Sequence, residues 1–272
     1  MSTPRIAILG ATGRMGRALL QAVAVTPALQ LGAAIERAGH PDAGRDALAL
    51  AGAGEGPVRV CTSIESCLAE FDVLVDFTRP EATLAAAALC AQHGKRMVVG
   101  TTGLSDGQRA QLAAHAGHIA ICLSGNFSIG INLCVALVEQ AARTLGSGFD
   151  VEVLEAHHRH KVDAPSGTAL MLGEAAARGA GAALKDHAIY ARQGQTGARP
   201  AGAIGFQAIR GGDVIGDHTV MFLGEGERIE ISHRATSRAN FANGAMRAAG
   251  WIADRLPGLY SMRDVLRQNE TN

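Results

Sequence analysis

The sequence has no excess of charge of either sign. Lys+Arg 25 balance Asp+Glu 25 for a formal net charge of +0, so no global field draws the chain to nucleic acid or to an anionic membrane surface. It is poor in cysteine. The five present, Cys61, Cys67, Cys90, Cys122 and Cys134, are odd in number, form no C-x-x-C pair and lie among apolar neighbours. Five reduced core thiols are therefore expected, and a disulfide framework or a zinc site is not. Long apolar runs are missing too. The first, Ile6–Leu9, is too short for a signal segment, and none approaches the ~18 residues of a membrane span, so a soluble, cytoplasmic protein is expected. Repeats and low-complexity linkers are also lacking. What is there is a chain of 272 residues, 47% hydrophobic and 18% charged, long enough for about two domains and apolar enough for a real core. Its 34 glycines, one residue in eight against a usual ~7%, indicate tight turns and close backbone approaches. Small-molecule chemistry is the reading these features leave.

The first half alternates β-rich runs with alanine-rich helical stretches, the rhythm of βαβ units around a parallel sheet. Strands are predicted at Arg5–Leu9, Leu31–Glu36, Val73–Asp76, Arg96–Val99 and Ile119–Cys122, and helices at Arg14–Val25, Pro80–Cys90 and Ser105–His115. The Gly/Ala/Asp-rich stretch 38–57 is predicted as a loop with one possible helical turn near Leu48. A long amphipathic helix over Ile129–Leu145, a strand at Val151–Glu155 and a helix after Pro165-Ser166-Gly167 follow. Phe206–Arg210, His218–Leu223 and Arg228–His233 then have the character of antiparallel strands joined by Gly/Asp-rich connections, before a last helix over Ala239–Asp254 that Pro257 ends. The expected fold class is α/β. A Rossmann-like parallel-sheet domain (1–128 plus 239–272, with the last helix packing back) is joined to a second, mixed α+β domain (129–238) for substrate binding and oligomerisation. Hinge closure near Phe127–Gly130 is expected to bring cofactor and acid residues together.

Gly10-Ala11-Thr12-Gly13-Arg14-Met15-Gly16 lies between a predicted strand and helix. Its glycines turn the chain, admit a pyrophosphate close to the backbone and let the helix pack on the strand, while the helix N-terminus attracts the anion. The spacing is G-x-x-G-x-x-G. Glu36, ~20 residues on at a strand end, is placed to accept from ribose hydroxyls, and the adjacent Arg37 to pair with a 2′-phosphate, so the dipeptide allows NADH or NADPH. Gly100-Thr101-Thr102-Gly103 and Ser124-Gly125-Asn126-Phe127 each follow a strand at the carboxyl edge, where open α/β sheets bind ligands. The first suits a flat nicotinamide, and the amides of the second its carboxamide.

The fourteen residues Glu155–Thr168 hold three histidines, two permanent cations and a hydroxyl-bearing helix start. Metal binding is not expected there, since the imidazoles lack helical i, i+4 spacing and cations crowd them. Ser166, Gly167 and Thr168 offer backbone N–H groups and hydroxyls at a helix N-terminus as a cradle for a carboxylate, with Lys161 adding a point charge. Two anchors imply a diacid. His157 or Lys161, protonated, is the candidate proton source accompanying hydride addition, and His158 a holder of substrate carboxylate. The Rossmann half alone leaves other two-domain dehydrogenases open, for instance one acting on aspartate or an aspartate-derived aldehyde. A nucleotide-sensing module without turnover is a further reading, against which the His/Lys segment argues.

Together these residues resemble the 4-hydroxy-tetrahydrodipicolinate reductase family, also called dihydrodipicolinate reductases. The resemblance rests on the Gly10–Gly16 turn, Val75-Asp76-Phe77-Thr78, Gly100–Gly103, Asn126-Phe127-Ser128-Ile129-Gly130 and above all Glu155–Thr168. It departs from the family pattern at Ser124-Gly125. It implies NAD(P)H-dependent reduction of (2S,4S)-4-hydroxy-2,3,4,5-tetrahydrodipicolinate to tetrahydrodipicolinate, with loss of water, on the diaminopimelate route to lysine. It further implies a homotetramer, with His157 as proton donor or acceptor and Lys161 as donor. His158, Gly167 and Thr168 are implied on the substrate. Gly10, Ala11, Thr12, Gly13, Arg14, Met15, Glu36, Arg37, Gly100, Thr101, Thr102, Ser124, Gly125, Asn126 and Phe127 are implied on the cofactor.

Overall fold

A computed structural model describes residues 3–267. The chain forms two compact units, one of residues up to Ile129 together with those from Arg238 onward, the other Gly130–Ser237. Residues 1, 2 and 268–272, assigned above to the nucleotide domain, lie outside the described residues.

The first unit is built on β1 (Arg5–Leu9), β2 (Gln30–Ile35), β3 (Val60–Cys61), β4 (Val73–Asp76), β5 (Arg96–Val99), β6 (Ala120–Leu123) and β12 (Gly258–Tyr260). They pair in parallel in the order β12-β6-β5-β4-β1-β2-β3. Both faces are covered, which is why the strands are near-continuous apolar runs. Ile8, Val75 and Val98 face helices α1 (Arg14–Ala24) and α8 (Ala239–Ile252), while Leu74, Met97 and Val99 face α3 (Pro80–Gln92) and α4 (Asp106–His115). Each fully buried side chain of this kind contributes ~1.5–3 kcal/mol. The long segment after β2 carries α2 (Ala47–Ala51), whose first turn is capped by Asp46 accepting from the amides of Leu48 and Ala49. A short 3-10 helix spans Glu65–Glu70, and α9 (Met262–Arg267) closes the unit.

The second unit holds α5 (Ile129–Leu145), β7 (Asp150–His157), α6 (Gly167–Gly179), α7 (Leu184–His187), β8 (Ala188–Ile189), β9 (Ile204–Arg210), β10 (Gly216–Leu223) and β11 (Arg228–Ala235). The sheet order is β11-β10-β7-β9-β8. One face packs Val153, Phe206, Val220 and Phe222 against α5 and α6.

Two expectations need correction. The last three long strands are not a simple antiparallel run: β9 pairs in parallel with β7, which separates it from β10. The crossover that permits this is α6, since parallel neighbours need a long connection. Nor are all five cysteines separate thiols, because the structure joins Cys61 to Cys67. The reversal at Ser63–Ser66 carries the two side chains together, a proximity that their six-residue spacing does not announce. Cys90, Cys122 and Cys134 are free, and burial pushes the Cys90 and Cys122 thiols up to about 12, leaving them protonated and inert.

Candidate active site

In the first unit, the strand-to-helix turn after β1 needs its glycines for steric reasons. Gly10 has φ +69° and a Cβ there would meet Thr78 Cγ2 at 2.8 Å; at Gly16 a Cβ would strike the Gly10 and Ala11 backbone. The turn is tied to β2 by the Gly10 amide donating to Ile35 O at 2.8 Å. Glu36 leans back over it, its Oε1 accepting from Thr12 N (2.9 Å) and Thr12 Oγ1 (2.7 Å). Glu36 and Arg37 line a cleft of about 950 Å³ together with Gly10, Gly13, Ser63 and Arg79. The glycine cradle and the size of this cleft fit a dinucleotide. Ala11 is fully buried beneath the turn and Met15 is half-buried, whereas Arg14 is exposed.

The loops after β5 and β6 meet through two rings. A Cβ on Gly100 would collide with Phe77, whose ring centroid is 5.3 Å from that of Phe127. Thr101 is buried, with its hydroxyl 2.8 Å from that of Thr83, while Thr102 is exposed. At the departure from the family pattern, Ser124 Oγ donates to Asn126 O (2.7 Å) and accepts from Asn126 N (3.3 Å), and so closes the turn around Gly125 by itself.

In the second unit, three strands converge at the carboxyl end of β7. Register places Arg210 of β9 beside His157, and His218 of β10 beside Glu155. Glu155, 2% exposed, accepts from His157 Nδ1 at 2.5 Å, from Arg210 Nη1 and Nη2 at 2.7 Å each, and from the Ser166 amide at 3.2 Å. A carboxylate only accepts, so His157 carries its proton on Nδ1 and its Nε2 faces Gly216, where a Cβ would lie 3.0 Å away. Burial pushes the Glu155 pKa upward, but Arg210 and His157 outweigh it and hold the group below the usual carboxylate range. His157 is lowered by burial, against the pull of Glu155 and with the help of Lys161 and Arg210.

Ser166 caps α6 by accepting from Ala169 N (3.1 Å), and its hydroxyl lies 3.0 Å from His218 Nε2. Burial and the neighbouring His157 push His218 down to about 3. That imidazole is neutral. Gly167, next in line, faces open space, and Thr168 follows in the same first turn. Lys161 Nζ is held by both Asp163 oxygens (2.8 and 2.9 Å). His158 donates its amide to Val214 O at 2.7 Å, and its buried Nδ1 has no hydrogen-bond partner among the described residues.

The sequence reading thus brings His157, Ser166 and Gly167 into one cluster but misses Glu155, Arg210 and His218. Glu155 was legible in principle, because i and i+2 on a strand share a face. Arg210 and His218 required the strand pairing. Arg79, which follows β4 at the same sheet edge as the Gly100 and Ser124 loops, joins Phe77 of the Val75–Thr78 motif in lining the cleft with Glu36 and Arg37. Among the described residues there is no cluster of three or more His, Cys, Asp or Glu suited to a metal ion, and no helix is long and apolar enough to cross a membrane.

A doubly wound parallel sheet with a glycine turn over a dinucleotide-sized cleft, joined to a mixed-sheet unit with a buried acid–base cluster, defines a two-domain dinucleotide-dependent oxidoreductase. The same architecture is found in a myo-inositol dehydrogenase from Corynebacterium glutamicum, 14% identical, with TM-score 0.59 over 94% of this chain and 90% of that one. The chain belongs to the dihydrodipicolinate reductase family. Residues 4–127 match the family's N-terminal model and residues 130–266 its C-terminal model. It is 52% identical to the 4-hydroxy-tetrahydrodipicolinate reductase of Saccharophagus degradans, over 97% of this chain and 98% of that protein. A dipicolinate-bound dihydrodipicolinate reductase from Paenisporosarcina sp. TG-14 is 27% identical, with TM-score 0.75 over 97% of this chain and 100% of that one. The chain is accordingly an oxidoreductase that works with NADH or NADPH.

Proposed function

We propose that this chain reduces (2S,4S)-4-hydroxy-2,3,4,5-tetrahydrodipicolinate to (S)-2,3,4,5-tetrahydrodipicolinate, with loss of water, in lysine biosynthesis through diaminopimelate. The bound dihydronicotinamide supplies the hydride. Gly10, Ala11, Thr12, Gly13, Arg14 and Met15 hold the pyrophosphate at the α1 N-terminus. Glu36 and Arg37 take the adenosine ribose and its 2′ substituent, and Gly100, Thr101, Thr102 and Ser124, Gly125, Asn126 and Phe127 frame the nicotinamide. The substrate's carboxylates go to the α6 start, where Ser166, Gly167 and Thr168 present N–H groups and hydroxyls, and to His158, whose buried Nδ1 lacks a partner.

The observation that carries this reading is the Glu155–His157 pair clamped by Arg210. It fixes one imidazole tautomer and aims the other nitrogen away from the carboxylate, the arrangement of a general acid–base group. A dianionic substrate beside His157 favours its protonated form, and the low intrinsic pKa then makes it a willing donor to the carbon next to the hydride acceptor. Lys161, whose Nζ is paired with Asp163, is the second donor and stabilises negative charge as it develops. Replacing Lys161 by Ala is expected to lower kcat by orders of magnitude with little change in NADH affinity. Wild-type turnover in that variant contradicts the assignment.

The assembly we infer is a cytoplasmic homotetramer. In its support, α5 and α6 cover only one face of the five-stranded sheet. The other carries Leu154, Ala156, Met221 and the exposed Ile209, apolar groups that a second copy of the sheet would bury.

A further inference from the structure

His218 lies 5% exposed in β10, opposite Glu155 in register and diagonal to His157, so its side chain shares their face of the sheet. It touches two groups of different duty. Its ring meets that of His157 edge-on, with centroids 5.1 Å apart and planes at 75°. Its Nε2 lies 3.0 Å from the hydroxyl of Ser166, the N-cap of α6. Because its Nδ1 has no hydrogen-bond partner among the described residues, Ser166 is the polar anchor that holds this ring. Gly216 makes the arrangement possible: a Cβ there would come within 3.0 Å of His157 Nε2 and 3.6 Å of His218 Cε1.

We infer that His218 is a positioning residue that sets the distance and tilt of the His157 imidazole relative to the start of α6. This rests on the proposed roles of His157 as proton donor and of the Ser166–Thr168 turn as carboxylate cradle. The single hydrogen bond from His157 Nδ1 to Glu155 fixes one atom of the ring and leaves the rest free to swing about that contact. The ring of His218 removes this freedom, and Ser166 ties it to the helix that carries the substrate's carboxylate. Proton donor and anchor are thereby held in one frame, and a reacting group displaced by an ångström loses much of its rate. The side chain suits the task because it is neutral near pH 7: burial and the neighbouring His157 push it down to about 3, so it adds no charge to repel a protonated His157.

Two variants of the full chain separate the two contacts, read by steady-state turnover of freshly generated 4-hydroxy-tetrahydrodipicolinate and by calorimetric binding of dipicolinate. His218→Gln carries a side-chain nitrogen toward Ser166 but has no ring. It should lower kcat about tenfold or more through misplacement of His157, with dipicolinate affinity within about threefold of the wild type's. His218→Phe has the ring but no anchor. It should loosen the cradle and raise KM and the dipicolinate dissociation constant about tenfold, the worth of one buried hydrogen bond, with a smaller fall in kcat. Equal changes of kcat and KM in both variants, as a loss of structure alone would give, overturn the inference. The wild-type chain labelled at histidine supplies a check that needs no variant: the His218 ring-nitrogen resonances should shift when dipicolinate binds, and unmoved resonances overturn the inference too. Failure of the wild type to bind dipicolinate overturns the cradle itself, and the inference with it.

Discussion

At the scale of single residues, Glu155 does two things for His157: it chooses the tautomer and it supplies the negative charge that opposes the lowering of His157 by burial. The sign of its removal follows. In Glu155→Gln the charge that favours the imidazolium is gone, so His157 loses its proton at a lower pH than in the wild type. If protonated His157 is the donor, the alkaline fall in kcat/KM should move to lower pH in this variant. A pH–rate profile checks it, and an unmoved limb contradicts the role. Arg37 offers a second residue-level prediction. Arg37→Ala should weaken NADPH more than NADH, by ~1–3 kcal/mol for a charge-assisted bond, as read from dissociation constants for both coenzymes. Equal losses would remove Arg37 from recognition of the 2′-phosphate.

At the scale of elements, the start of α6 serves stability and recognition together. Ser166 Oγ accepts the Ala169 amide, so Ser166→Ala should cost about 1 kcal/mol as a lost N-cap, measurable by urea unfolding. The same variant should raise KM for the dicarboxylate while leaving coenzyme affinity alone. Elements of this kind were largely legible in the sequence. The Gly10–Gly16 turn, Pro80 opening α3 and the apolar runs of β4 and β5 each announce themselves by local chemistry. What was not legible depended on distant pairing. The three-residue β12 begins at a glycine and becomes a strand only by lying beside β6. The parallel placement of β9 beside β7 is decided by the crossover, and with it the approach of Arg210 to Glu155. His157 and Lys161 stood out because their segment is dense in chemistry, whereas His218 is one buried histidine in an ordinary strand.

At the scale of the whole molecule, the buried histidine has a cost. His218 is held at about 3 when folded but titrates near ~6.5 in the unfolded chain, so between these values the unfolded state binds the extra proton. Its contribution to stability is present above pH ~6.5 and is lost as pH falls toward about 3. His218→Asn should flatten the acid side of a stability–pH curve, and an unchanged slope would contradict this. The open sheet face makes a separate prediction for the assembly. Sedimentation should show four copies together, and Ile209→Asp should reduce the mass; a wild-type monomer at micromolar concentration would contradict the inferred tetramer.

The most direct measurement of the central claim, that the second unit both holds a flat dianion and protonates it, is a paired assay on His157→Gln. One arm is steady-state turnover with freshly generated 4-hydroxy-tetrahydrodipicolinate, and the other is calorimetric binding of dipicolinate. The account predicts a fall in kcat of two or more orders of magnitude, on the order of the 10²–10⁴ that general acid catalysis supplies, with dipicolinate affinity largely kept. Near-normal kcat, or loss of dipicolinate binding that accounts for the whole effect, would contradict it.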